Sequence, residues 1–282
     1  MLRVKVEVVK RFSLGVHLLL IVILVGFFAF PFYWILVSSF KPTEELIRAK
    51  PTFIPETFTL AHYRNLLRVS EYPSYLRNST VVGLLTAALS TFLAFLSGYS
   101  IYRCEYPGKR IISTFVISSY AVPTTLLTVP LYSLFARAGL INSLWSLVLV
   151  NVTLTSPLGV WLLKAFLSSV PKEVEEAAMI DGASRLRIMF QIAFPLIFPG
   201  VAAVAMFSFV TSWTEFLFAN IFIMNEFQKT LPVGIARFIT QYNVDWGLLM
   251  AGAVLTSLPP VLLFAFFGKS FIRGLTSGAT KY

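Results

Sequence analysis

Glu175-Glu176-Ala177-Ala178-Met179-Ile180-Asp181-Gly182-Ala183-Ser184, running on to Ile192-Ala193-Phe194-Pro195, is the one long polar stretch that lies between two apolar runs and still reads as ordered structure. Ser169 and Pro171 supply helix-start signals, and Glu173, Glu175 and Glu176 fall in the opening turns, where carboxylates favour the positive end of the helix dipole. Asp181-Gly182 is a stop, because glycine accepts the left-handed conformation that closes a helix. Ser184 can cap a second short helix, with Leu186, Met189 and Ile192 spaced for one apolar face. Pro195 restricts the chain beyond it. A helix, a glycine turn and a second helix presented between apolar runs is either a docking element or a solvated loop with helical propensity.

The surrounding composition decides the class. Of the 282 residues 57% are hydrophobic and 13% charged, with a mean hydropathy of +0.78, against roughly 25% charged residues in a soluble domain. Several apolar runs exceed the roughly 20 residues needed to cross a bilayer core. The chain reads as an all-α integral membrane protein in one domain. Its net charge of +10 is spread over loops with no basic stripe interleaved with aromatics, which excludes a nucleic-acid surface. Cys104 is the only cysteine and His17 and His62 lie far apart, so neither a disulfide nor a metal cluster is expected.

Six spans are expected, at about 13–40, 78–101, 111–135, 144–167, 196–224 and 246–267. The basic start with Arg3, Lys5, Lys10 and Arg11 precedes a run too long for a signal peptide and without a small-residue cleavage site. Pro31 kinks or re-angles the outer end of the first span; Pro123 and Pro130 in the third and Pro157 in the fourth either favour an interior or cavity-lining position or are static kinks, and Pro259-Pro260 interrupt the sixth. In the second, Thr86, Ser90, Ala94 and Gly98 recur every fourth residue, a small-residue ridge that lets helices approach closely in lipid. Between the first two spans Thr59 caps a short interfacial helix with Leu60, Tyr63 and Leu67 on one face. Counting Lys and Arg gives fourteen on the proposed inner side against nine on the outer. This puts both termini and the 168–195 loop in the cytoplasm.

Glu215 is the only carboxylate inside an expected span. Such a group faces a bundle interior or a wet cavity, which makes Trp213, Glu215 and Asn220 candidates for a solute path; the alternative is a structural partner near the interface. Gly268-Lys269-Ser270 imitates the end of a phosphate loop, but Leu263 stands where the pattern needs glycine, so the chain has no ATP site of its own. No His-Glu-x-x-His or Gly-x-Ser-x-Gly pattern is present, which leaves a membrane enzyme without its constellation. An ion-coupled secondary transporter would carry more ionisable groups at the midplane.

The opening stretch resembles the signature of binding-protein-dependent ABC importer permeases: Glu-Ala-Ala, three residues, Gly, nine residues, Ile, one residue, then a hydrophobic residue and Pro. Here these are Glu176-Ala177-Ala178, Gly182, Ile192 and Phe194-Pro195, with Phe194 where leucine is usual. Pro171 through Ala183, Phe58-Thr59-Leu60-Ala61-His62-Tyr63, Tyr106-Pro107-Gly108-Lys109-Arg110 and Gly274-Leu275-Thr276-Ser277-Gly278-Ala279 are similar to the carbohydrate importers of the maltose and trehalose type, in their shorter permease subunit.

The resemblance implies a six-helix type I, MetI-like permease with a cytoplasmic coupling helix, in the inner or plasma membrane of a prokaryote. It implies a second, longer permease subunit, two ATPase subunits that bind ATP and Mg, and an extracytoplasmic sugar-binding protein. Glu175, Glu176, Ala177, Ala178, Met179, Asp181, Gly182, Ile192 and Pro195 would then couple to the ATPase, and Lys269 to Tyr282 would lie against it. Asn225, Glu226 and Gln228 in the loop before the last span would reach the binding protein. A di- or oligosaccharide such as maltose or trehalose is the implied solute; similar systems carry glycerol phosphate or other small solutes.

Overall fold

The computed structural model describes residues 2–68, 71–240 and 244–276, with side chains for 15–68, 71–240 and 244–268. The tail at 277–282 and the side chains of 269–276 lie outside the described residues. In chain order the helices are α1 (Leu2–Ser38), α2 (Thr43–Leu46), α3 (Ala61–Arg68), α4 (Tyr72–Arg103), α5 (Lys109–Ser119), α6 (Thr124–Arg137), α7 (Leu144–Leu167) and α8 (Lys172–Ile180). Then follow α9 (Arg185–Ile188), a π-helical turn (Met189–Ala193), α10 (Phe194–Leu196), α11 (Phe198–Trp213), α12 (Leu217–Phe222), a 3-10 turn (Glu226–Gln228), α13 (Leu231–Ala236) and α14 (Trp246–Thr276). Among the described residues the only strand-like pairing is an isolated bridge between Ile239 and Val244.

Among the described residues four helices are long and apolar enough to cross a membrane: Gly15–Ser38, Tyr72–Arg103, Leu144–Leu167 and Trp246–Gly268. Two further crossings are broken. Lys109–Ser119 meets Thr124–Arg137 at 102°, and Arg185–Leu196 meets Phe198–Trp213 at 80°. The first break follows from Pro123, whose ring forbids the amide bond that would continue α5 and whose extended backbone (ψ 126°) starts α6. With each bent pair as one span the count is six.

The chain divides into two compact units. One comprises residues 1–68 and 238–256. The apolar side chains from Leu18 to Phe30 on α1 are exposed, the arrangement expected of a helix whose solvent is lipid. After α1 the chain is tied by short contacts: Phe40 stacks on Phe58 with ring centroids 4.7 Å apart, Ser39 Oγ and Tyr63 Oη are 2.7 Å apart, and His62 Nε2 meets the Lys41 carbonyl at 2.8 Å. On α3 it is His62 and Leu66 that are buried, while Leu60 and Leu67 stay exposed. A Cβ at Gly247 would collide with the His62 ring, so α14 begins at close range to α3.

The other unit comprises residues 69–237 and 257–282, and its core is the packing of α4, α7 and α11. Thr86, Ser90, Ala94 and Gly98 are all buried. A Cβ on Gly159 of α7 would lie 2.9 Å from Val204 Cγ1 on α11 and 3.0 Å from Ala94 Cβ on α4, so one missing methyl sets the approach of three helices. Hydroxyls cross-link the same layer. Thr155 Oγ1 lies 2.9 Å from Ser90 Oγ, and Ser208 Oγ donates to Ser90 Oγ at 3.2 Å. In lipid such bonds contribute about 0.6 kcal/mol each on average, so packing rather than polarity holds the layer.

Gly159→Val should therefore cost about 1–3 kcal/mol through overpacking, seen as an earlier midpoint in thermal scans of the detergent-solubilised protein. An unchanged midpoint would mean that the three helices do not meet at this distance.

Candidate functional site

The signature stretch folds as a helix, a left-handed turn and a second helix. Pro171 is the residue before α8, with the extended backbone (φ −58°, ψ 138°) that a helix entry needs. Three bonds close the helix: Asp181 N to the Ala177 carbonyl, Gly182 N to the Met179 carbonyl and Ala183 N to the Ala178 carbonyl, all at 3.0 Å. Gly182 has φ +83°, a conformation that costs other L-residues roughly 1–2 kcal/mol. No atom lies within 4 Å of where its Cβ would be, so within this chain the glycine serves the turn and relieves no clash. Ser184 then accepts from Arg187 N at 3.4 Å and caps α9.

Adjacent glutamates have opposite fates. Glu175 is 5% exposed: its Oε1 accepts from Arg103 Nε at 2.8 Å and its Oε2 from the Tyr99 hydroxyl at 3.0 Å. Arg103 also donates to the Val170 carbonyl at 2.9 Å, which fixes the chain just before α8. Glu176, one residue on, is exposed and lines a cavity of about 190 Å³ with Lys172, Arg185 and the buried pair. Tyr99 and Arg103 stand at the end of α4 (Tyr72–Arg103), far from the signature in sequence, and the capping and spacing signals pointed to neither. The available signal was a lone arginine at the end of an apolar run facing a glutamate-rich helix.

Burying Glu175 turns the rest of α8 and α9 outward. Ile180 is 87% exposed and Leu186 67%, with Val174 and Met179 about half exposed. Glu176, Ala177, Asp181 and Gly182 are also exposed, and Ala178 is half-buried. Lys172, Glu173, Asp181, Arg185 and Arg187 surround these apolar side chains. A surface that charged does not sit in hydrocarbon, and an apolar patch rimmed by polar residues marks a protein contact.

Behind α9 the helix widens. Phe194 N bonds to the Met189 carbonyl, five residues back, and this π-turn shifts the register expected for Leu186, Met189 and Ile192. Met189 is buried, as are Ile188, Ala193 and Ile197, whereas Leu186 is exposed, Ile192 half-buried and Pro195 exposed. The turn brings Phe190 and Phe194 onto Phe95 of α4, at centroid distances of 5.8 and 5.2 Å. Phe95 also packs on Tyr99, the partner of Glu175, at 6.2 Å.

The three solute-path candidates do not converge. Trp213 is buried against Phe209, rings stacked at 5.3 Å, beside an apolar crevice of about 610 Å³. Glu215 accepts from Phe218 N at 2.7 Å and Ala219 N at 2.9 Å, capping α12 where the fifth span breaks after Trp213. Asn220 is exposed.

The loop before α13 is held from beneath. Asn225 Oδ1 accepts from Phe227 N at 3.0 Å, and Asn142 Oδ1 accepts from Asn225 N at 2.8 Å. Asn78 Nδ2 donates to the carbonyls of Phe227 and Lys229 at 2.8 and 3.0 Å. Glu226 takes the Tyr75 hydroxyl, the Lys229 ammonium and the Arg237 guanidinium, while Gln228 Oε1 is buried without a partner. Burial pushes the Glu226 carboxyl up, but the hydrogen bonds from Tyr75 and Lys229 and the charges of Arg237 and Lys229 outweigh it and hold the group below the usual carboxylate range.

Comparison with known proteins places this architecture. Residues 79–277 match the family described as the binding-protein-dependent transport system inner membrane component. The chain is 35% identical over 272 residues to the inner membrane ABC transporter permease protein YcjP of Escherichia coli K12, covering 96% of this chain and 95% of that one. It is 33% identical over 283 residues to the trehalose/maltose transport system permease protein MalG of Thermococcus litoralis, covering 98% of each. The fold is similar to a chain in the crystal structure of a bacterial ABC transporter that imports the polysaccharide alginate, with a TM-score of 0.83 at 17% identity over 93% of this chain and 97% of that one.

Two outcomes follow from the geometry. Glu175→Ala strands a buried guanidinium and should loosen α8 by about 3–5 kcal/mol, whereas Glu176→Ala at the exposed neighbour should stay within about 0.5 kcal/mol. Amide hydrogen exchange over residues 172–188 reads the contrast, and equal protection in the two variants would contradict it. For Glu226, a carboxyl held below its ordinary value stabilises the fold above that value and loses the contribution as pH falls through the depressed one. Protection of amides 225–237, corrected for intrinsic rates, should hold from neutral pH to about 5 and decline below about 4; Glu226→Gln should flatten that profile.

Proposed function

The chain belongs to the family of binding-protein-dependent transport system inner membrane components, and from that premise we propose that it is the permease subunit of an ATP-driven sugar importer. A second, longer permease subunit completes the solute path, and two ATPase subunits bind ATP and Mg and close on the cytoplasmic side. An extracytoplasmic binding protein delivers the solute. The carbohydrate class rests on the trehalose/maltose relative aligned along the whole chain, and a disaccharide such as maltose or trehalose is the proposed cargo.

The single observation that carries the coupling role is the outward face of α8 and α9, on which Ile180 and Leu186 stand exposed among charges while Glu175 is locked inward. Small Ala177 and Ala178 let a partner's cleft close around the helix, and Gly182 turns the chain away from it. ATP-driven closure of the ATPase pair displaces this helix, and Phe95 with Phe190 and Phe194 carries the displacement into α4. ATP thereby biases a two-state assembly through contacts that differ between the states. The count of basic residues supports both termini and residues 168–195 on the cytoplasmic side, with the spans and loops forming one permease domain over 1–282.

Gly182 offers the cleanest test because its Cβ would meet nothing in this chain. Gly182→Asn, a residue that tolerates the left-handed region, should fold and retain most uptake. Gly182→Trp should fold yet lose most uptake in proteoliposomes while ATP hydrolysis continues. Full uptake by Gly182→Trp would contradict docking at this turn, and uptake by an assembly with disabled ATPases would contradict the importer reading.

A further inference from the structure

The first unit holds a cavity of about 200 Å³ among the end of α1, the loop after it and the start of α14. Its lining combines two indoles, Trp34 and Trp246, with Ser38, Lys41, Glu45 and Thr52. Two of its polar groups are buried with hydrogen-bonding capacity unspent. Ser38 is 2% exposed and its hydroxyl has no partner. Lys41 is also 2% exposed; its ammonium lies 4.5 Å over the Trp34 ring and donates to the Thr52 carbonyl, but among the described residues it forms no ion pair. A buried ammonium has three donors and a large desolvation cost, so one whose donors are not all spent within the chain is a candidate contact for a polar ligand.

Glu45 lies near enough for the Lys41 charge to act on it but forms no direct ion pair with it; its oxygens accept from the Thr52 hydroxyl and from Glu56 N at 3.2 Å. Those bonds fold the loop back over Lys41 and hold the cavity open. The empty space therefore presents donors from one wall and indole surface from another. An apolar ligand would leave Ser38 and Lys41 unsatisfied, and a compact inorganic anion would leave the Trp246 face unused and sit beside the Glu45 carboxylate. A neutral ring with an apolar C–H face and a rim of hydroxyls satisfies both walls. A cavity of about 200 Å³ has room for one sugar ring.

We propose that this cavity is a sugar subsite of the permease, taking one pyranose ring with its C–H face on Trp246 and its hydroxyls on Ser38 Oγ and the Lys41 ammonium. The inference rests on the sugar-importer reading above and adds where in this chain the sugar first binds. By the count of basic residues, the end of α1 and the start of α14, which frame the cavity, fall at the extracytoplasmic ends of their spans. The subsite thus receives the ring that the binding protein releases. Trp34 keeps Lys41 in place, and Trp246 is the platform.

The test uses the complete complex with its ATPases and binding protein in proteoliposomes, with labelled maltose and trehalose as probes. Ser38→Ala and Trp246→Leu should each raise the sugar concentration for half-maximal uptake by about tenfold, the loss of roughly 1.4 kcal/mol of binding. Ser38→Thr, which keeps the hydroxyl, should restore the lower value. In the unmodified complex, maltose or trehalose should protect Trp246 from hydroxyl-radical oxidation, a readout that needs no variant to fold. Uptake with wild-type half-saturation in both variants, or no protection of Trp246 while the sugar is transported, overturns the subsite and leaves the sugar importer standing. No uptake of either sugar by the unmodified complex overturns the sugar reading and the subsite together.

Discussion

The buried ion pair between Arg103 and Glu175 sets how the rest of the signature region can be used. With both side chains under a tenth exposed, the pair would be costly if either member were alone, so it fixes the rotation of α8 about its own axis. That rotation sends one glutamate inward and the next outward, and exposes Ile180 and Leu186 beyond it. Arg103 also holds the Val170 carbonyl, which clamps the chain on the entry side of α8. The helix is therefore not a flexible loop with helical propensity but a part held at one end by charge and closed at the other by the Gly182 turn.

A part that transmits force needs a stiff connection, and two features supply it. Behind α9 the π-turn places Phe190 and Phe194 on Phe95, which shares Tyr99 with the ion pair. Polar anchoring and aromatic packing thus converge on the last turns of α4, from Phe95 through Tyr99 to Arg103. Further along α4 the small residues let α7 and α11 approach, and the missing methyl at Gly159 leaves no slack between them. Close-packed layers of this kind shift as units rather than deforming locally, which is what coupling between a docking helix and membrane spans requires.

Much of this was legible beforehand. Composition and apolar run lengths identify a membrane protein, the four-residue ridge in α4 is buried as its spacing implies, and the order helix, Gly182, helix could be read from capping chemistry alone. What escaped the sequence depends on distant partners or on irregular backbone. Glu175 and Glu176 are chemically identical until Arg103, 72 residues earlier, chooses one of them. The π-turn over Met189–Ala193 puts Ala193 rather than Ile192 in the core, which a strict helical period cannot foresee. Glu215 reads in sequence either as a charge on a solute path or as a structural partner, because nothing at Thr214 announces a break; its carboxylate accepts from the amides that open α12. The buried Lys41 and Ser38 were unremarkable in sequence because both sit at a span's end, where polar residues are ordinary.

The central claim is that the exposed face of α8 and α9 is covered by an ATPase subunit in the working assembly. Cys104 is the only cysteine, so a Cys104→Ser background carrying Ile180→Cys presents one thiol at the most exposed point of that face. The account predicts that this thiol cross-links to an ATPase subunit through a short bifunctional reagent, and that assembly shields it from a bulky maleimide. A thiol at position 180 that reacts as fast in the assembled complex as in the isolated chain, and forms no cross-link, would contradict it.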